Sequence, residues 1–341
     1  MTFDWKHIIA GPCAAESEEQ VWTTAQAIAQ SVPDDVRHKL IFRAGLWKPR
    51  TSPTTFQGIG DEGLAWLQRV QRELDLPVAT EVTQPEQLHR AIEAGLRHLW
   101  VGARTSANPI QVQALADALQ DHDCSQLTVY IKNPVNNDPA LWIGNIQRFL
   151  SVTGSNNQAP EVYAIHRGCN HRPCWDMAYF LRQQMPTIPL LLDPSHMSGD
   201  ANRIDCLCKN AVQLQYDGLM VEVHNHPSQA LSDAQQQLTP AQFAAILGSL
   251  TEEEEATQLT WLRQMMNEVD DELWSVVARR MEVSRRIGEY KREQGMEIVQ
   301  PTRYEQMVTS RLAWAQSHDL APNTVRTIMD ALHQESIRKQ K

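Results

Sequence analysis

The sequence predicts an α/β fold, a (β/α)8 TIM barrel followed by a small all-α helical domain, and three observations carry that expectation. Eight short β-like runs recur through the first part, with helix-compatible stretches between most of them. No glycine-rich dinucleotide fingerprint follows the first run, which argues for a closed parallel barrel over an open doubly wound sheet. After about residue 248 the β-like runs stop and the pattern is helical throughout. The length of 341 residues suits this division, because a barrel takes ~250 residues and leaves a small remainder. The expected domains are 1–248 for the barrel, 249–257 for a linker and 258–341 for the helical part.

The eight runs are Ile8–Cys13, Leu40–Gly45, Pro77–Val82, His98–Arg104, Thr128–Pro134, Val162–Gly168, Leu190–His196 and Gly218–His224. Each ends in a polar or charged group, and a barrel carries its chemistry at the C-terminal ends of its strands. Beyond them, Glu252–Glu255 reads as a solvated linker or as the first turn of the next helix, where negative charge suits the dipole. From Leu259 the apolar positions step by three and four through Leu262, Met266, Val269, Leu273, Val276, Val283, Ile287 and Tyr290. That is the seam of one long helix, on the order of 50 Å at ~1.5 Å per residue, too long and too apolar on one side to stand alone. Gly295 ends it, and Pro301 and Pro322 punctuate two further helices. Three helices with so long a first one suggest an intertwined dimer.

Composition excludes several function classes. The longest apolar runs, such as Ile188–Leu192 with Pro189 inside it, are far too short to span a bilayer. The first residues lack the basic stretch and apolar core of a signal peptide, and the six cysteines (13, 124, 169, 174, 206 and 208) show no paired framework. A cytoplasmic protein with reduced thiols and no membrane partner is expected. The formal charge of −10 argues against nucleic-acid binding, which usually needs a clustered positive excess. The excess of acid lies in residues 1–255, with 18 Lys+Arg against 29 Asp+Glu; the remainder holds 13 against 12.

Basic residues nevertheless gather at the strand ends of that acidic part. Arg43 ends the second run and leads to Lys48-Pro49-Arg50-Thr51; Arg104, Lys132 and Arg167 close the fourth, fifth and sixth. Six cations on one barrel face form a funnel for polyanions, because guanidinium forks and ammonium groups match phosphate and carboxylate oxygens. A second constellation is Cys13, His196, Glu222 and Asp233. One thiolate, one imidazole and two carboxylates form a mixed donor set suited to a borderline divalent ion such as Mn, Fe, Co or Zn.

The runs Gly11-Pro12-Cys13, Arg43-Ala44-Gly45 with Lys48–Pro53, Gly102-Ala103-Arg104, His166-Arg167-Gly168, Asp193-Pro194-Ser195-His196 and Val221-Glu222-Val223-His224 resemble type Iβ 3-deoxy-D-arabino-heptulosonate 7-phosphate (DAHP) synthase over about residues 5 to 245. The resemblance implies that Cys13, His196, Glu222 and Asp233 bind the metal. It further implies that Arg43, Lys48, Arg104, Lys132 and Arg167 surround phosphoenolpyruvate, and that Arg50 and Thr51 take the phosphate of erythrose 4-phosphate. Lys48 is the candidate proton donor to the new alkoxide. Asn133 stands where the family often has arginine. The runner-up is a 3-deoxy-D-manno-octulosonate 8-phosphate synthase-like barrel with a helical dimerisation or regulatory module; its members resemble Ala-Asn-Arg-Ser-Ser after the second-strand lysine, where this chain has Pro49-Arg50-Thr51-Ser52.

On the long helix Arg280 falls on the apolar seam, where a charge is costly without a partner. Lys291, eleven residues on, shares its face at about 20°, and Arg263 lies ~100° away. This part resembles the all-helical type II chorismate mutase over about residues 258 to 341. The resemblance maps the cationic pocket onto Arg263, Arg280, Lys291 and Arg303 and the polar C-terminal pair onto Ser336 and Gln340, and it implies chorismate and prephenate as ligands. Tyr304 stands where the family has a catalytic glutamate. The fusion implies a homodimer or higher homo-oligomer. It also implies feedback control of the barrel through the helical domain, with Glu252–Glu255 as the hinge.

Overall fold

The structure is a computed structural model that describes residues 5–50, 52, 54–250 and 257–340. Eight strands are present: β1 (His7–Gly11), β2 (Leu40–Arg43), β3 (Val78–Val82), β4 (His98–Val101), β5 (Thr128–Lys132), β6 (Glu161–His166), β7 (Leu190–Leu192) and β8 (Gly218–Glu222). They close into a barrel in sequence order, and β1 pairs in parallel with both β2 and β8. Their apolar runs are continuous because both faces are covered, the inner by the barrel interior and the outer by helices.

Alternation along each strand sorts its residues between those two faces. Ile9, Ile41, Ala79, Trp100, Tyr130, Tyr163, Ile165, Leu191 and Met220 form the interior, while their neighbours Ile8, Leu40, Leu99, Val129 and Val162 face the helices. Two residues beyond Ile41, Ala79, Tyr130, Ile165, Leu191 and Met220 stand Arg43, Glu81, Lys132, Arg167, Asp193 and Glu222. The same inward parity that fills the core thus supplies the next layer, at the rim, with charge.

The strands are shorter than the sequence suggests at their C-terminal ends. Arg104 lies on a short helix, Ala103–Ser106, and His196 on another, Pro194–Ser198, whose first turn is capped by the Asp193 carboxylate accepting from the His196 amide. The polar ends of these runs leave the sheet because their backbone groups serve turns and caps instead of the ladder.

The chain divides into two compact units, 1–265 and 266–341. In the first, Trp261 is buried against Trp175, Tyr179 and Tyr216. That boundary lies within the helix Gln258–Glu293, past the expected linker, most of which (251–256) lies outside the described residues. This long helix is followed by Pro301–Gln316 and Pro322–Gln340. Gly295, with φ of 62°, terminates the first as expected: the Met296 amide donates to Lys291 O at 2.8 Å. Proline opens the other two helices, where the missing N–H costs nothing.

The apolar seam stays uncovered within the chain. Leu259, Leu262, Met266, Val269, Leu273, Val276, Val283, Ile287 and Tyr290 are all exposed. Met281 and Ser284 are buried instead, and Gly288 lies so close to the last helix that a Cβ there would meet Gln340 Cα at 2.6 Å. Arg280 stands between the two faces, about 40° from both Val276 and Ser284 at 100° per residue, and its guanidinium turns to the last helix.

Candidate active sites

Arg43, Lys48, Arg50, Arg104, Lys132, Arg167, His196 and Asp233 line one cavity of about 340 Å³ at the C-terminal rim of the barrel. Thr51 lies outside the described residues. Arg43 is fully buried, donates through Nη2 to Glu222 Oε1 at 3.1 Å, and lies over the Trp100 ring at 4.7 Å. Its Nε and Nη1, together with Arg50 Nη2 and Arg167 Nε, are buried donors with no protein partner among the described residues. Unpaired donors of this kind suit an anionic ligand, since leaving them unmatched is costly.

The two lysines are each held by a partner. Lys48 donates to Glu81 Oε2 at 3.2 Å and to the Cys13 carbonyl at 3.1 Å. Burial alone would lower its pKa, but Cys13, Glu81 and Glu222 outweigh that and hold it above the ordinary lysine value. A side chain at Gly102 would place its Cβ 1.9 Å from Glu81 Oε1, so only glycine leaves that carboxylate its place. Lys132 is buried against Asp193. Burial would raise Asp193, yet His196 and Lys132 hold it well below the usual carboxylate range. Asn133, the departure from the family pattern, is buried and works as a brace: its Oδ1 accepts from the Arg167 amide at 2.7 Å and its Nδ2 donates to Gly168 O at 3.0 Å.

The second constellation forms where β1 meets β8. Register pairs Gly11 with Glu222, which brings Cys13, two residues on, to the same corner. One donor atom from each of Cys13, Glu222 and Asp233 lies within 4.8 Å of the others. Cys13 Sγ donates to Asp233 Oδ2 at 3.0 Å. Burial first, then Glu222, push the thiol up to about 12. His196, the fourth expected ligand, stands beside this group and not within it, with Nε2 3.5 Å from Glu222 Oε1 and Nδ1 2.9 Å from Asp193 Oδ2. A carboxylate behind the distal ring nitrogen is the usual way to aim a ligating histidine. Four deprotonatable N, O and S donors fit a borderline divalent cation.

In the helical domain Arg280 Nη1 donates to Ser336 Oγ at 2.6 Å and to Leu332 O at 3.0 Å, and Ser284 Oγ lies 3.1 Å from Ser336 Oγ. Lys291 Nζ donates to Ile298 O at 2.6 Å. Gln340 is buried, with Oε1 unpartnered among the described residues. Tyr304 stacks on His333 at 3.9 Å between centroids and donates to Asp330. Burial lowers the His333 pKa first, and Arg280 next, which places His333 within the field of the cationic site. Arg303 is exposed and makes no hydrogen bond or ion pair to this group among the described residues; Arg263 is exposed in the unit of the barrel.

Sequence reasoning missed Glu81, Asp193, Gln236, Gln237 and Trp100 at the rim, and Ser284, Asp330 and His333 in the helices. For Glu81 and Asp193 a signal existed: each stands one inward step beyond an interior residue.

Residues 4–259 match the DAHP synthetase I family. The chain belongs to that family. A chorismate mutase type II domain follows it, matched over residues 262–341. Among similar proteins, a phospho-2-dehydro-3-deoxyheptonate aldolase from Thermotoga maritima is 28% identical over 244 residues, 68% of this chain and 64% of that protein. The chain therefore spans just under two thirds of that relative. A 2-dehydro-3-deoxyphosphooctonate aldolase from Desulfatibacillum aliphaticivorans is 28% identical over 262 residues, 71% of this chain and 90% of its own. The crystal structure of a T. maritima phospho-2-dehydro-3-deoxyheptonate aldolase (DAHP synthase) shares the fold with a TM-score of 0.58 at 24% identity, covering 71% of this chain and 67% of that one. A truncated 3-deoxy-D-arabino-heptulosonate 7-phosphate synthase from T. maritima does so with 0.56 at 21%, covering 78% and 87%. No described helix is long and apolar enough to cross a membrane.

Proposed function

We propose that the barrel condenses phosphoenolpyruvate with erythrose 4-phosphate to DAHP and phosphate, and that the helical domain rearranges chorismate to prephenate. The observation that carries the first half is the convergence of six basic side chains and a Cys/Glu/Asp corner, with His196 beside it, on one rim.

Cys13, His196, Glu222 and Asp233 would hold a divalent ion of the Mn, Fe, Co or Zn class, which supplies Lewis acidity toward the aldehyde oxygen. The chain's own groups do the rest. Arg43, Arg104, Lys132 and Arg167 bind the phosphate and carboxylate of phosphoenolpyruvate and fix its C3 against the aldehyde carbon. Arg50, with Thr51, binds the phosphate of the four-carbon sugar. As C3 attacks, positive charge grows at C2, water adds there and phosphate departs into the same guanidinium cluster. Lys48 stays protonated between Glu81 and the Cys13 carbonyl, and it gives a proton to the new alkoxide, a far stronger base than an amine.

In the helical domain Arg280 and a second arginine hold the two carboxylates of chorismate in the folded conformation, Lys291 stabilises charge on the ether oxygen, and Ser336 and Gln340 orient the ligand. Arg263 and Arg303 reach that site in a homodimer, whose interface is the exposed apolar seam. The six free cysteines, five of them buried, suit a reducing cytoplasm. Prephenate feeds back on the barrel, and a chain ending near Gly248 escapes that inhibition.

Phosphate release from phosphoenolpyruvate with erythrose 4-phosphate, beside chorismate loss by the same purified chain, tests both halves. The octulosonate alternative is favoured only by the relatives that carry that name. Faster release with arabinose 5-phosphate than with erythrose 4-phosphate would establish it instead.

A further inference from the structure

We propose that the adjacent amides of Gln236 and Gln237 are positioning residues that set the Cys13/Glu222/Asp233 corner before any cation arrives. This rests on the metal-site reading above. Gln236 lines the cavity and Gln237 lies behind it, and neither was marked by its residue type.

Gln237 is buried and spans two ligand segments. Its Oε1 accepts from the Cys13 amide at 3.2 Å, and its Nε2 donates to the Ser232 carbonyl at 2.8 Å, one residue before Asp233. These two partners, an obligate donor and an obligate acceptor, require an amide at this position. A glutamate could accept from Cys13 but would set a carboxylate against the Ser232 carbonyl. Asp233 itself has φ 53° and ψ 34°, a left-handed conformation that a non-glycine residue keeps only when its surroundings impose it. The tether on Ser232 is one such constraint. The Gln236 amide, donating to Asp233 O at 3.1 Å, is another.

Gln236 serves the third ligand. Its Nε2 donates to Glu222 Oε2 at 2.8 Å, while Arg43 Nη2 takes Oε1 and the Glu222 amide donates to Ser195 Oγ at 2.9 Å. Both carboxylate oxygens are therefore fixed, and each keeps a lone pair for a ligand. The segment that carries both glutamines is fastened to β8 on either side of Val223, since Leu238 N donates to Glu222 O and His224 N to Leu238 O. The rigid clasp converts two side-chain amides into a fixed spacing between β1, β8 and the Asp233 loop.

The division of labour gives separable effects. Co(II) is titrated into the full-length protein stripped of metal, and the cobalt dissociation constant and the thiolate-to-cobalt absorption band are read for wild type, Gln236→Met and Gln237→Met, together with each stripped protein's melting temperature. Gln237→Met is expected to weaken cobalt 10- to 100-fold, the usual range for an outer-shell partner, and to shift or diminish the thiolate band. Gln236→Met is expected to weaken cobalt by a similar factor with the thiolate band in place. Lower melting temperatures with both dissociation constants within twofold of wild type would show purely structural residues and overturn the proposal. So would a thiolate band disturbed as much by Gln236→Met as by Gln237→Met. Should Gln237→Met not fold, Gln237→Glu carries the same expectation and the same refutation. If wild type itself gives no thiolate band with cobalt, the ligand reading fails and the proposal falls with it.

Discussion

At the barrel rim Arg43 is sealed from solvent and donates to the equally buried Glu222, whereas in the helical domain Arg280 is half-buried and bound by a hydroxyl and a carbonyl. Three cations of the rim are answered by carboxylates: Arg43 by Glu222, Lys48 by Glu81, Lys132 by Asp193. No carboxylate answers Arg280 or Lys291 by an ion pair among the described residues, and a long apolar seam beside them stays uncovered. The difference teaches that a sheet closed on itself sets opposite charges from many strands against one another, whereas a three-helix unit covers only one face of its longest helix and leaves the apolar face beside its cations open.

The largest expected effect separates the two regions by metal. Excess chelator should abolish condensation and leave chorismate rearrangement unchanged, because among the described residues it is at the rim that thiol and carboxylate donors assemble. Rates of both reactions measured on one chelated sample check this, and equal loss of both would erase the contrast.

Removing one arginine from each region comes next. Arg43→Ala strands Glu222 as a buried unpaired charge, so the barrel should lose about 3–5 kcal/mol in denaturant titration. Arg280→Ala removes only neutral partners of a half-exposed side chain and should cost less than about 1.5 kcal/mol, while slowing the mutase by roughly 100-fold or more for one lost transition-state contact. If Arg280→Ala destabilises as much as Arg43→Ala, Arg280 is structural.

A smaller effect concerns pH. Burial lowers His166 to about 3 and His98 to about 4. Both are neutral in the folded barrel, while the unfolded chain takes up their protons below about pH 6.5. More protons on the unfolded state means that stability rises with pH, so the contribution is complete above 6.5 and is lost as pH falls toward 4 and 3. The loss is of order 1.4 kcal/mol per unit for each histidine. Hydrogen exchange from pH 7 to 5, read by mass spectrometry on the full chain, should show protection falling more in the barrel than in the helices, where His333 is only partly buried. A fall reduced by about half in His98→Asn, with His166 supplying the rest, sharpens the assignment; an equal fall in both regions counts against it.

The smallest effect is steric. Gly288→Ala places a Cβ 2.6 Å from Gln340 Cα, which must push two helices apart and should cost about 1–3 kcal/mol. A melting shift confined to the helical domain, with condensation unaltered, is the expected outcome, and an unchanged melting curve would mean that the helices are not in close contact there.

The eight strands, the change to helices and six cations of the rim were legible because hydrophobic period and residue charge are local properties of a chain. Cys13, Glu222 and Asp233 were legible as types, but their meeting depends on β1 closing onto β8, a pairing across more than 200 residues that no local pattern encodes. Glu81 and Asp193 carried the inward parity of their strands, but their pairing with Lys48 and Lys132 depends on which segments the barrel sets side by side. Gln236 and Gln237 were less visible still, because an amide acquires a role only from the donor and acceptor that the fold sets on either side of it. The apolar seam was legible as a stripe, but that its residues stay uncovered within the chain was not. Periodicity fixes which side chains share a helix face; which face the protein covers is decided by the helices that tertiary structure lays against it.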